Sequence, residues 1–210
     1  TILGKNFFKN EIKFINNTSL EAQISSISDD IAYNSHDLED GLKSNLFKLN
    51  DLKHIPVLNK IISKHKKKIK IFSIELIIRQ IIRDIINEMV GDVIKTTKKN
   101  IKQNNIKKLK DVYISKKKIV CFSKNMQNFD LMIKNFLKEK MYFHKTVKTK
   151  TNYGKKVIKN LFLSIKKNPK KYINIRKYKK SSLERMICDY IAGMTDRYAI
   201  NLYKKLNEHI

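Results

Sequence analysis

The chain is poor in glycine, proline and cysteine, and poor in negative charge. Its 210 residues include five glycines and two prolines, which disfavours turn-rich folds and favours a mostly helical one. The two cysteines, Cys121 and Cys188, form no CxxC motif and are too few for a disulfide framework. This usage is typical of the reducing cytosol, so we expect a cytoplasmic protein.

Several short motifs of known chemistry are also missing. The sequence has no glycine-rich phosphate loop, no GxSxG and no HExxH, which argues against P-loop, α/β-hydrolase and zincin-type chemistry. The most apolar stretch, residues 69–94, is interrupted by charged residues such as Glu75, Arg79 and Glu88. A membrane-spanning helix would not carry them, so we expect no membrane partner.

Positive charge, by contrast, is abundant. Lys and Arg total 46 against 19 Asp and Glu, a formal net charge of +27. Such an excess attracts polyanions, among them DNA. Lysine, isoleucine and asparagine are all over-used, and an AT-rich genome would produce that bias without selection for DNA binding. Charge alone leaves both explanations open.

Hydrophobic periodicity predicts an all-α, multi-helix bundle. Hydrophobic residues make up 41% of the chain and recur at helical spacing, as a packed core requires. The pattern predicts helices that begin near Ser19 and that cover residues 71–96, 126–140 and 153–167. Ser181 and Glu184 form a capping-box pattern, which predicts a last helix with one apolar face running to near the C-terminus.

Three places are expected to break this helical pattern. Gly41 should end or interrupt the first helix. Residues 95–110 are polar and basic, which is typical of a loop or a frayed helix end. Residues 112–122 hold two β-branched or aromatic clusters around three lysines, and this favours a short hairpin.

An acidic patch, SDDIAYNSHDLEDG, stands out in this basic chain. On a helix, Asp29, Tyr33, His36 and Asp40 recur at i, i+4, i+7 and i+11 with Asp37 beside them, so one face presents carboxylates, a phenol and an imidazole. Carboxylate and imidazole groups are ligands of divalent metals. The opposite side of the helix carries the apolar residues Ile24, Ile27 and Ile31. An acidic face opposite an apolar one is also typical of a solvated helix surface, and spacing alone does not decide between the two.

Two long stretches carry a family resemblance. SLEAQISSISDDIAYNSHDLEDGL (residues 19–42) and DYIAGMTDRYA (residues 189–199) resemble the dGTP triphosphohydrolase-like proteins of the HD-domain superfamily. Between them, IVCFSKNM, FLKEKMYFHKTV and VIKNLF resemble the family's middle region in order and spacing. The resemblance covers nearly the whole chain and implies an HD-domain-like helical bundle.

The resemblance also implies an activity, a cofactor and partners. The family hydrolyses a deoxynucleoside triphosphate, such as dGTP, to the deoxynucleoside and triphosphate, with a divalent metal held by a His, a His-Asp doublet and a final Asp. Carried over, Asp29 resembles the final metal ligand, and Tyr33 and Asp37 resemble residues that contact the nucleotide near its sugar. Mg, Mn, Fe, Co and Zn are not distinguished. A homo-oligomer is implied by resemblance only.

The N-terminal part of the family fold is missing from this sequence. The family's first His and its His-Asp doublet lie upstream of the acidic helix, but only eighteen residues precede Ser19 and none is a histidine. His36 and Asp37 lie inside the downstream motif and cannot be that doublet. We therefore expect a C-terminal part of a longer enzyme, inactive alone. Residues 1–50 would end the HD catalytic core, and residues 51–210 would form the helical C-terminal region.

Further pocket candidates and alternative functions are weaker. His36, Tyr142 and His144 are candidates for the pocket, although packing is the more ordinary role for Tyr142 and His144. The isolated histidines are expected to be structural or solvated: His54, His65, His144 and His209. A basic, helical nucleic-acid-binding protein and a non-catalytic subunit are the alternative functions.

Overall fold

The computed structural model of the protein describes residues 17–68, 71–173 and 182–207. Within those residues there are eight α-helices and no β-strand, which confirms the predicted all-α class. The chain forms two compact units, Thr1–Tyr142 and Phe143–Ile210. The division near residue 50 expected from the resemblance is a different partition and stays a prediction. No helix in the described ranges is long and apolar enough to cross a membrane.

The first unit is a bundle around one hydrophobic core. Its elements are α1 (Leu20–Lys43), a 3₁₀ turn (Leu49–Leu52), α2 (Pro56–Lys64), α3 (Ile74–Gln103), α4 (Leu109–Ile114), α5 (Lys124–Leu137) and a π-helical turn (Lys138–Tyr142). Helix α1 packs against α3 and α5, and α2 packs against α3. Fully buried side chains such as Leu38, Ile81 and Ile133 form the core. The isoleucine stripe of α3 is therefore a core stripe, as its width predicts.

The second unit is a smaller cluster of three helices. Its elements are α6 (Lys145–Lys167), a 3₁₀ turn (Pro169–Lys171), α7 (Leu183–Ala192) and α8 (Asp196–Asn207). Helix α6 packs against both α7 and α8. Val157, Leu161 and Ile165 on α6 are buried together with Met186 and Ile187 on α7. These three residues of α6 thus form part of the core of this unit.

Two asparagines, rather than a glycine or a loop, end the long helices α1 and α3. Asn45 and Asn105 adopt positive φ values of 53° and 51°, and in each case the next residue's N–H bonds back to the carbonyl five residues earlier. This is the Schellman arrangement, which satisfies the last helical carbonyls. The predicted break at Gly41 is wrong, since α1 continues to Lys43. Glycine is required at this position by packing, because the Phe47 ring lies where a side chain would stand. The loop predicted from residue 95 starts only after Gln103.

The hairpin predicted over residues 112–122 is wrong. Its first half continues helix α4 to Ile114, and the second half is not paired with any strand in the described chain. The backbone N–H groups of Ile119 and Val120 donate instead to the side-chain Oε1 of Gln23, each at 3.0 Å. A buried amide side chain on α1 replaces the strand partner that β-branched residues would otherwise favour.

Three helix boundaries also differ from prediction. Helix α6 begins at Lys145, not at residue 153, because its first two turns are polar and carry little apolar periodicity. Ser182 caps α7 by accepting from the Arg185 N–H; the predicted cap Ser181 lies outside the described residues. The continuous last helix is interrupted after Ala192, and α8 starts at Asp196.

Candidate functional site

The acidic patch lies on α1, whose start the sequence predicts correctly. Ser19 is the N-cap and accepts a hydrogen bond from the Ala22 N–H at 3.3 Å, which satisfies one unpaired donor of the first turn. Ile31 and Leu38 face the core. Ile24, which the predicted apolar stripe includes, is 49% exposed, so that stripe is buried only in its later part.

Polar side chains hold the buried face of α1, which the sequence interpretation missed. Gln23, Asn34 and Ser35 are buried, and the Asn34 amide donates to Asp130 Oδ1 on α5 at 2.6 Å. The buried Ser35 hydroxyl has no hydrogen-bond partner among the described residues. Satisfied buried amides such as those of Gln23 and Asn34 fix one arrangement of neighbouring elements more strictly than apolar contacts do. Gln23 and Asn34 lie on the same side of the helix as the buried Leu38, and this spacing in the sequence could have predicted that they are buried.

A charged bridge also links α1 to α5. The Lys134 ammonium lies 3.0 Å from Asp30 and 2.9 Å from Asp130. Partial burial works to lower the pKa of Lys134, but the hydrogen bonds and charges of the two carboxylates raise it overall. Asp30 is therefore engaged in this bridge, whereas its neighbour Asp29 has an exposed side chain.

The three residues carried over from the family resemblance follow one another at single-turn intervals on α1. Asp29 is exposed, Tyr33 is 64% exposed, and Asp37 is half-buried. One turn of helix rises about 5.4 Å, so neighbouring members of this row stand within reach of one small ligand. His36 is also exposed and lies beside the row. We call Asp29, Tyr33 and Asp37 the acidic row.

Tyr142 joins this row from the far end of the first unit. It is the last residue of the π-helical turn that follows α5, and its hydroxyl donates a hydrogen bond to Asp37 Oδ2. Burial, then the hydrogen bond and charge of Asp37, raise the pKa of Tyr142 to about 12. Single π-helical turns recur at functional sites. Of the weaker candidates, Tyr142 is thus the one that the fold brings to Asp37.

The other histidine candidates have separate surroundings. His144 occupies the N-cap position of α6 in the second unit, and its Nδ1 is buried without a hydrogen-bond partner in the described residues. His65 is buried, with Nε2 at 3.0 Å from Asp84, and His54 is exposed beside the Asp51 carbonyl. His65 and His54 have the structural or solvated surroundings that were expected; His209 lies outside the described residues.

The described residues do not complete a metal centre. Asp29 offers one carboxylate, but no group of three or more His, Cys, Asp or Glu side chains in the described part of the chain is arranged to hold an ion. Divalent ions need several ligands, and zinc sites in proteins generally use at least three from the protein. The acidic row fits one side of a metal and nucleotide site, and not the whole of it.

Comparisons with known proteins agree with the motifs. Residues 120–205 match the family model described as a phosphohydrolase-associated domain. A deoxyguanosinetriphosphate triphosphohydrolase-like protein of Pelagibacter ubique (strain HTCC1062) is 50% identical over 203 residues, which are 97% of this chain and 54% of that protein.

Two further relatives carry the same name. The protein of Leptospira interrogans (strain Fiocruz L1-130) is 36% identical over 196 residues, 91% of this chain and 51% of its own length. That of Bartonella tribocorum is 32% identical over 202 residues, 90% of this chain and 49% of its own length. The chain therefore spans about half the length of the curated relatives it matches, and the match falls in their C-terminal portion.

Proposed function

Because the chain matches the C-terminal portion of the deoxyguanosinetriphosphate triphosphohydrolase-like proteins, we propose that it supplies that part of a metal-dependent hydrolase. The reaction would convert a deoxynucleoside triphosphate, dGTP or a close relative, to the deoxynucleoside and triphosphate. One observation carries the proposal. The acidic row presents a carboxylate, a phenol and a second carboxylate on one helix face, and Tyr142 already holds the last of them.

Each member of the row has a distinct part in this proposal. Asp29, which is exposed and has no hydrogen-bond or ion-pair partner among the described residues, would be a metal ligand. Tyr33 would pack against the sugar of the nucleotide through its exposed ring. Tyr142 donates to one oxygen of Asp37 and leaves the other oxygen to accept a hydrogen bond from a sugar hydroxyl.

The metal needs ligands beyond this chain's described residues. A bound divalent ion would supply Lewis-acid polarisation of the phosphate and activation of water, and the share of this chain is the Asp29 carboxylate. Charge that develops on the phosphate also needs cations near it, and the chain is rich in lysine. We infer that the isolated chain binds metal weakly and does not turn over.

The test is a chimeric protein. The N-terminal part of the Pelagibacter ubique relative, up to the point where the two sequences align, is joined to this chain, and triphosphate release from dGTP is measured with each candidate metal. We expect metal-dependent release from the chimera and none from the isolated chain. Full-length relative is the positive control. Release by the isolated chain, or a folded chimera that is inactive beside an active relative, would contradict the proposal and favour a non-catalytic subunit.

Substitutions in the chimera then test the role of each residue in the acidic row. Asp29→Asn should lower turnover by at least about 100-fold because a metal ligand is lost, while Tyr33→Phe and Asp37→Asn should chiefly raise KM for the nucleotide. Asp40→Asn is the matched control, since Asp40 is an exposed carboxylate on the same helix. Equal effects of Asp29→Asn and Asp40→Asn would reject Asp29 as a ligand.

A further inference from the structure

Helix α6 carries an unusual concentration of one charge. Its 23 residues contain eight lysines and no aspartate or glutamate. All eight lysines are exposed. Helix α1, of similar length, contains six carboxylates and one lysine, so the composition of α6 is not a uniform property of the chain.

The lysines of α6 are concentrated on one side. At 100° per residue, seven of them fall within about a third of the helix circumference. They are Lys145, Lys148, Lys155, Lys156, Lys159, Lys166 and Lys167, which we call the lysine face. The opposite side holds the buried residues Val157, Leu161 and Ile165. The lysine face extends over about 33 Å along the helix, at a rise of about 1.5 Å per residue.

Little in the described part of the second unit neutralises this face. Lys166 pairs with Glu184 at 2.9 Å, and no other ion pair between the lysine face and a carboxylate is present among the described residues. The carboxylate of Asp189 on α7 is itself paired with Arg185 at 2.9 Å. The face therefore keeps most of its positive charge available to an external partner.

We propose that the lysine face binds the phosphate backbone of a nucleic acid without sequence preference. A nucleic-acid strand presents a regular row of negative charges, and a straight row of flexible ammonium groups can follow it. A lipid surface fits less well, because a membrane-binding helix needs a continuous apolar side to insert. The apolar side of α6 is buried in the core of the second unit, and its exposed apolar residues Ile158 and Leu163 lie about 140° apart around the helix. This interaction is separate from the proposed hydrolase activity and does not depend on it.

The test compares two triple variants of the full chain with equal net charge. One carries Lys155→Gln, Lys156→Gln and Lys159→Gln on the lysine face. The matched control carries Lys98→Gln, Lys99→Gln and Lys102→Gln, which are exposed lysines on α3. Binding to labelled single-stranded DNA, duplex DNA and RNA is measured by fluorescence anisotropy over a series of salt concentrations, with phosphatidylserine vesicles as a further arm. Circular dichroism checks that both variants fold.

The unmodified chain should bind the nucleic acids with a steep salt dependence. The α6 variant should bind at least about tenfold more weakly at low salt, with a salt slope reduced by about 2 to 3, since each lost phosphate contact removes about 0.7 to 0.9 from the slope. The α3 variant should stay within about twofold of the unmodified chain. Equal losses in both variants, absence of nucleic-acid binding, or a preference for vesicles would each overturn the proposal.

Discussion

Helices α1 and α6 carry opposite charges, and they use their buried sides differently. Helix α1 carries six carboxylates and one lysine and buries two hydrogen-bonded amide side chains, Gln23 and Asn34. Helix α6 carries eight lysines and buries only apolar side chains. Hydrogen bonds between defined atoms fix the rotation of a helix about its own axis more strictly than apolar contacts. The helix that presents the proposed active-site residues is thus the one whose orientation is held by directional contacts.

The two helices should therefore differ in how well they tolerate a small rotation about their axes. The contact between Asp37 in the acidic row and Tyr142 requires one rotation of α1, because Asp37 must meet a single hydroxyl. The lysine face of α6 needs only a row of charge, and long lysine side chains tolerate small rotations of their helix. Three sets of substitutions test this contrast, in order from the largest expected effect to the smallest.

Core truncation should be costly in both helices. Leu38 on α1 and Leu161 on α6 are each fully buried, so Leu38→Ala and Leu161→Ala should each lower the free energy of unfolding by about 2 to 5 kcal/mol. Urea denaturation gives the size of the loss, and amide hydrogen exchange shows which unit loses protection. We expect Leu38→Ala to affect the first unit and Leu161→Ala the second.

Exposed leucines provide the matched controls for that experiment. Leu131 on α5 is 57% exposed and Leu163 on α6 is 48% exposed, so their replacement by alanine should change stability by less than about 1 kcal/mol. If the exposed and buried leucines gave equal losses, the two cores described above would be incorrect.

Removal of an amide side chain should cost more stability in α1 than in α6. Gln23→Ala removes the acceptor for two backbone N–H groups and the donor to the Thr18 carbonyl, and leaving such groups unsatisfied should cost about 1 to 3 kcal/mol. Among the described residues, the Asn160 amide on α6 donates only to the Lys156 carbonyl of its own helix. Asn160→Ala should be neutral or slightly stabilising, because alanine is the better helix former. Thermal denaturation of the two variants compares them directly, and a similar loss in both would remove the distinction.

The smallest expected effect is a change in the pKa of Tyr142. The pKa of Tyr142 is raised from 10.0 to about 12, chiefly by burial and then by Asp37, so the folded protein keeps this phenol protonated where the unfolded chain would not. Its stabilising contribution is complete below pH 10 and is lost as pH rises towards about 12. Spectroscopic titration of phenolate should show that Asp37→Ala moves the pKa of Tyr142 down, though not fully to 10.0, because burial remains.

Tyr190 in the second unit is the control for that titration. Its pKa is raised by a hydrogen bond with Tyr198 and by burial, with no carboxylate involved. Tyr198→Phe should therefore lower the pKa of Tyr190, and Asp37→Ala should leave it unchanged. Tyr142→Phe identifies which transition belongs to Tyr142. A late transition that survives Tyr142→Phe and responds to Asp37→Ala would contradict the assignment.

Much of the fold was predictable where the sequence carries a local signal. Ser19 caps α1 as predicted, and the isoleucines in the first half of α3, from Ile77 to Ile85, are buried as their spacing indicates, whereas Ile74 is exposed. Polar helical turns were missed, at the start of α6 and the end of α3, because periodicity of apolar residues is silent there. The hairpin was predicted from β-branched residues near Ile119, but their backbone donors are satisfied by Gln23, ninety-six residues earlier in the chain.

The sequence by itself determined the all-α class, the family resemblance and the helical spacing of Asp29, Tyr33 and Asp37, because each depends on residues close in sequence or on motif order. Only the tertiary structure decided that Tyr142 meets Asp37, a contact between residues 105 positions apart. It also decided that Asn34 is buried against Asp130 and that Asp30 is engaged by Lys134. These pairings depend on how α5 lies against α1, which spacing within one helix cannot specify.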